Sequence, residues 1–276
     1  MDLELAGREK LLYPIGQVFE HDVGLDSIFF SKNRKLWRMF SPGRWYHPFS
    51  SVWKPGLNLE PQLWENISQE LNSSAFPIFK CNLFIQYKRP DYLTNGTAGE
   101  YSYWSAPYYR YYLDPHQHGI ISKLEAKISP AALVAYCAPA FWTFDDLFTN
   151  QRNAQLIEHS NFVKPSHLDG HSAWTYTDAG TDGKAFSEPV KIPSLNLRRE
   201  LEELAKILPQ VENNTEFIIS LSTSIERVVK EDEGFLAKRY VETLHDAKLP
   251  SNELAQCIAH IWLFTFMFDI SWAIGY

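Results

Sequence analysis

Cysteine is scarce in this chain. Cys81, Cys137 and Cys257 are the only three, far apart and each within an apolar stretch, so no disulfide framework is expected and a reducing, cytoplasmic setting fits. Excess positive charge is lacking too. With 26 Lys and Arg against 33 Asp and Glu, the formal net charge of -7 opposes broad attraction to nucleic-acid phosphate and counts against a free-standing nuclease. The start, Met1-Asp2-Leu3-Glu4, lacks the basic-then-apolar order of an export signal. Asp178 to Gly183 is rich in glycine but lacks the glycine and lysine order of a phosphate loop, so it reads as a turn between two strands.

Aromatic residues are abundant. A hydrophobic content of 45% with 15% aromatic, including nine Trp and fourteen Tyr, excludes a disordered chain and implies large buried faces or stacking surfaces. At 276 residues the chain can bury a sizeable core. Basic residues gather early, in Lys32, Arg34, Lys35, Arg38 and Arg44, whereas Arg198 to Glu233 is rich in Glu. Basic and aromatic residues mixed from Arg34 to Trp45 are compatible with gripping a nucleic-acid strand or with loop anchoring.

The spacing of Leu11, Leu12, Ile15, Val18 and Phe19 predicts a helix over 8–21, weakened by Pro14 and Gly16 and ending near Glu20. A turn and a strand follow from Val23 to Phe30, with Asp26 near its start. Residues 32–75 show no single period and read as an insertion of irregular strands or loops with a short helix around Leu63 to Leu71. Cys81 to Arg89 is a short apolar strand ending in charge. Alternation puts Leu83, Ile85 and Tyr87 on one face and Phe84, Gln86 and Lys88 on the other, with Pro90 and Asp91 stopping the strand so that the polar pair lies at its open end.

Tyr108, Tyr109, Tyr111 and Tyr112 surround Arg110, either stacking on bases or packing on each other across a sheet. Asp114-Pro115 is an N-cap with proline at the first helical position, opening a helix through Gln117 and Ile128. Ala131 to Ala138 has the continuous apolar character of an interior strand. Phe141, Trp142 and Phe144 lead into a helix over 145–156. His167 and His171 carry a metal-ligand spacing only if helical, which Pro165 and Gly170 oppose. Beyond Pro193, amphipathic helices are expected over 195–208, 216–229 and 235–244. The apolar segment 254–276 is long enough to cross a bilayer, but His260 and Asp269 lie inside it, so a buried helix at a protein partner or self-association interface is expected rather than a membrane anchor.

The pieces Gly24-Leu25-Asp26 and Ile85-Gln86-Tyr87-Lys88-Arg89, the helix carrying Gln117, and the strand at 131–138 resemble the PD-(D/E)xK nuclease-like superfamily, in particular its Mrr-like branch with a Gln-x-Lys motif. The resemblance covers about residues 8–140. It implies an α/β fold, a restriction-endonuclease-like mixed sheet core flanked by helices, placed over 1–193, and the amphipathic pattern beyond Pro193 adds a helical region over 194–276. It also implies Mg²⁺ or Mn²⁺ held by Asp26, Gln86 and the helix carboxylate Glu20, with Lys88 orienting or activating the attacking water. Arg89, Tyr109, Arg110 and Gln117 would meet the DNA. The gap from Asp26 to Gln86 is longer than the family pattern, and Gln86 in place of an acid removes one negative charge, which weakens metal binding. The implied function is a metal-dependent DNA endonuclease, the effector subunit of a prokaryotic anti-phage or restriction-type defence complex. The alternative is a nuclease-like binding or regulatory subunit that has lost cleavage. A membrane-anchored effector rests on the C-terminal segment alone.

Overall fold

The computed structural model describes residues 10–14, 27–31, 81–207, 214–246 and 252–275. Within them the chain is a mixed α/β protein. The first elements are β1 (Lys10–Pro14) and β2 (Ser27–Ser31), an antiparallel pair. This corrects the helix expected over 8–21. Pro14 explains the preference: inside a helix it removes a backbone bond, whereas at the last position of a strand it is tolerated.

A four-stranded sheet organises the centre, in the order β11 (Ser271–Gly275), β3 (Cys81–Tyr87), β6 (Ala132–Pro139) and β7 (Ser160–Val163). β3 and β6 run parallel, so the chain must cross between them, and the helix α2 (Pro115–Ile128) makes that crossing. Asp114 caps α2 by accepting from the Gln117 backbone N–H at 2.9 Å, with Pro115 at the first helical position. The alternation in β3 sorts its side chains to two layers. Leu83 and Ile85 join Leu133, Ala135, Cys137 and Phe162 under α4 (Leu197–Ile207), while Phe84 faces Val134, Tyr136 and the α2 residues Ile120, Ile121 and Leu124.

Before α2, the short strand β4 (Asp91–Leu93), the single turn α1 (Tyr101–Trp104) and the strand β5 (Tyr108–Tyr112) intervene. After β6 come α3 (Phe144–Arg152), a 3₁₀ turn over Pro165–Leu168, and the strands β8 (Ala173–Tyr176), β9 (Gly183–Phe186) and β10 (Val190–Ile192). These strands build a second, five-stranded sheet in the order β10, β9, β8, β5, β4, and the turn read at Asp178 to Gly183 joins β8 to β9 as expected. Of the β5 tyrosines, Tyr109 packs across this sheet between Tyr92 and Tyr176, Tyr111 packs on Tyr136 of the other sheet, and Tyr112 is exposed beside the Arg110 guanidinium.

The C-terminal part contains α5 (Asn214–Lys230), α6 (Phe235–Asp246) and α7 (Glu253–Met267). It is not helical throughout. The apolar run ends at Met267, where Asp269 takes a left-handed φ of 50° and the Ile270 N–H bonds to the Thr265 carbonyl at 2.9 Å, closing the helix in a Schellman turn. The chain then returns as β11 antiparallel to β3. Among the described residues no helix is long and apolar enough to cross a membrane.

Candidate functional site

The expected pair lies where parallel β3 and β6 end, the side of an α/β sheet on which ligands are usually bound. Gln86 stands in register with Tyr136 and is 1% exposed, yet among the described residues neither its Oε1 nor its Nε2 has a hydrogen-bond partner. Two other buried amides, Asn82 and Asn161, do have partners. Asn82 accepts from Trp272 Nε1 at 2.9 Å, and Asn161 accepts from Trp174 Nε1 at 3.1 Å while donating to the carbonyls of Asp178 and Thr181. An unmatched buried carboxamide costs roughly 1–3 kcal/mol, so Gln86 is retained against the stability of the fold.

Lys88 projects from the same face, just past the strand. Its Nζ donates to Gln117 Oε1 at 3.1 Å and lies 5.7 Å from the centre of the Tyr136 ring. Gln117 Nε2 donates in turn to the Phe268 carbonyl at 2.7 Å, tying the ammonium to the turn between α7 and β11. Gln86 and Lys88 thus leave one face of the β3 end, and Gln117 meets Lys88 there.

His118, adjacent to Gln117, adds a second layer that sequence reasoning missed. Burial holds its pKa below the ordinary imidazole value, with Lys88 adding to the lowering and Asp169 and Glu125 opposing it. Burial also pushes the Tyr136 phenol well above its usual range, and its hydroxyl shares a hydrogen bond with His118 Nδ1 at 2.9 Å. The other ring nitrogen, Nε2, lies 3.1 Å from Asp169 Oδ1 but off the line of a good hydrogen bond. Ser122 donates to the same carboxylate at 2.8 and 3.0 Å. The result links α2, β6 and the 3₁₀ turn behind Lys88. A lone tyrosine in the otherwise apolar run Ala131 to Ala138 was the one available signal.

The remaining expected residues do not join this neighbourhood among the described residues. Asp26 and Glu20 lie outside the described residues, and so do the basic residues from Lys32 to Arg44. The strand after Asp26 pairs with β1, while the flanks of β3 are taken by β11 and β6. Arg89 is exposed. Tyr109 is buried, its phenol pushed up to about 12 chiefly by desolvation. Arg110 is committed internally, 3.0 Å from Glu100 and 3.7 Å from Asp91, with its guanidinium 4.7 Å from the centre of the Tyr112 ring. His167 sits on the 3₁₀ turn, and no group of three or more His, Cys, Asp or Glu able to hold a metal occurs among the described residues. The chain matches no protein-family model, no curated protein and no solved structure.

Proposed function

We propose that this chain is a metal-dependent phosphodiester hydrolase acting on DNA, a nuclease of the PD-(D/E)xK type that works as the effector subunit of a prokaryotic defence complex. One observation carries the reading: a buried, unpartnered Gln86 carboxamide two residues before Lys88, whose ammonium is held by Gln117. The restriction-endonuclease-like core belongs to the same proposal, supported by the order β3, α2, β6 with its parallel pairing.

The residues fit a hard divalent cation in one respect. Gln86 Oε1 is a neutral oxygen with no other partner among the described residues, of the type Mg²⁺ accepts. The carboxylates needed beside it are Asp26 and Glu20 by resemblance, so the fit rests on Gln86 among the described residues. A bound cation would polarise a phosphoryl oxygen. Lys88 would place its positive charge against the charge developing on the phosphate or orient the attacking water, and Gln117 would keep that ammonium from swinging away. Degradation of plasmid or of circular single-stranded DNA that requires Mg²⁺ and disappears in Lys88→Ala and Asp26→Ala supports this function; both DNAs left intact under every divalent cation overturn it.

The second reading, a nuclease-like binding subunit without cleavage, is favoured by the neutral amide at Gln86 and the net charge of -7. Partner binding without hydrolysis, unchanged in Lys88→Ala, separates it from the first.

A further inference from the structure

The ring of Tyr109 cannot meet a base directly, because it is 7% exposed, but it belongs to a run of aromatic rings that reaches the surface. Tyr176 stacks on Tyr109 with centroids 5.3 Å apart, Tyr109 packs against Tyr92 at 4.9 Å, and Tyr92 stacks on Trp142 at 5.4 Å with the planes only 13° apart. The inner end is fixed. Tyr176 is fully buried and its hydroxyl donates to the Pro139 carbonyl at 2.7 Å, so the run is anchored to the end of β6. The outer end is open, since Trp142 has one face on Tyr92 and is nonetheless 66% exposed.

We infer that Trp142 is a stacking platform for one unpaired nucleobase, and that the nucleic acid taken by this protein is single-stranded at the site. This rests on the nuclease-like reading for the identity of the substrate. Its own support is the placement of the platform: Trp142 follows the C-terminal end of β6, next to which β3 delivers Lys88 and the exposed Arg89. A rigidly backed indole presents a flat face with little conformational entropy left to lose, and every base has a complementary π-face. A base paired within a duplex has its faces covered by its neighbours and cannot use it.

Charge limits the contact. Asp145 and Asp146 open α3 just after Trp142, and Asp91 lies near Arg110 on the adjoining strand, so phosphates are disfavoured there and can be received on the Lys88 and Arg89 side. Binding should therefore depend on bases more than on salt. With one or two phosphates engaged, the slope of log affinity against log salt is about -0.7 to -1.4 for a single strand.

The test is fluorescence anisotropy with a short labelled single strand in Ca²⁺ or EDTA, using the full chain, beside the matching duplex and an abasic strand of equal length. The expected result is preference for the single strand over both, with Trp142→Ala weakening it by about 5- to 100-fold, the range one base–aromatic stack supplies, and Trp142→Phe retaining most of the binding. Unchanged thermal unfolding of Trp142→Ala confirms that the fold is intact. Equal binding of the abasic strand, preference for duplex, no binding of the single strand, or indifference to Trp142→Ala each overturns the inference. Cleavage plays no part in this readout. Trp142-dependent binding by a protein that cleaves nothing keeps the platform and removes the nuclease; cleavage with binding indifferent to Trp142 does the reverse.

Discussion

The Lys88 ammonium and the Gln117 carboxamide, 29 positions apart in sequence, meet at 3.1 Å because β3 ends where α2 begins its first turn over the sheet. Gln117 is bound on both sides, its Nε2 held by the Phe268 carbonyl. Gln117→Ala is expected to lower kcat about tenfold or more with a smaller change in KM, because Lys88 loses its orientation rather than its charge. Steady-state cleavage kinetics check this, and an unchanged kcat contradicts it.

Gln86 gives a prediction of opposite signs for stability and activity. Replacing the unmatched carboxamide with the similarly shaped methionine removes an unsatisfied buried group, so Gln86→Met should stabilise the fold by about 1 kcal/mol while abolishing cleavage. Urea unfolding reads it as a raised midpoint with an unchanged slope. A loss of stability would mean that the amide has a structural partner.

The strand ending at Gln86 and Lys88 and the start of α2 were legible in the sequence, because they depend on local rules. Alternation in Cys81 to Tyr87 sorts Leu83 and Ile85 from Phe84 and Gln86, and Asp114-Pro115 starts α2 at the expected residue. The α4 to α6 helices lie close to their expected ranges. Long-range pairing was not legible. Nothing local in Ser271 to Gly275 marks it as the neighbour of β3, and the turn that frees it depends on Asp269 adopting a left-handed conformation. The same holds for His118, which becomes informative only when Tyr136 and Asp169 are brought to its two nitrogens. Trp142 is likewise one aromatic residue among many until Tyr92 is placed beneath it.

Stability should depend on pH through His118. Its folded pKa is lowered from 6.5 by burial, so the folded state binds fewer protons than the unfolded state and stability rises with pH across this window. The stabilisation is complete above 6.5 and is lost progressively as pH falls below it. His260, also lowered by burial, acts in the same direction. Urea midpoints measured across this range should fall on acidification, and less steeply in His118→Gln; an equal slope in the variant excludes His118 as a source.

Gly183 has no space for a side chain. A Cβ there would stand 2.2 Å from Trp174 Cζ2 and 2.6 Å from the Thr175 carbonyl oxygen, so β9 passes β8 too closely for any other residue. Gly183→Ala should destabilise by about 1–3 kcal/mol, since Trp174 is fully buried and cannot yield cheaply. Thermal unfolding measures this, and a neutral substitution would show that the indole has room to move.

The most direct test is the Mg²⁺ dependence of the cleavage rate in Gln86→Glu beside the wild type. If the Gln86 oxygen faces the cation, restoring an acid should lower the Mg²⁺ concentration for half-maximal rate by about tenfold, because ligand charge sets affinity at such sites. A wild type that cleaves nothing, or a Gln86→Glu variant with unaltered Mg²⁺ dependence, contradicts the assignment of this corner of the sheet to phosphodiester hydrolysis.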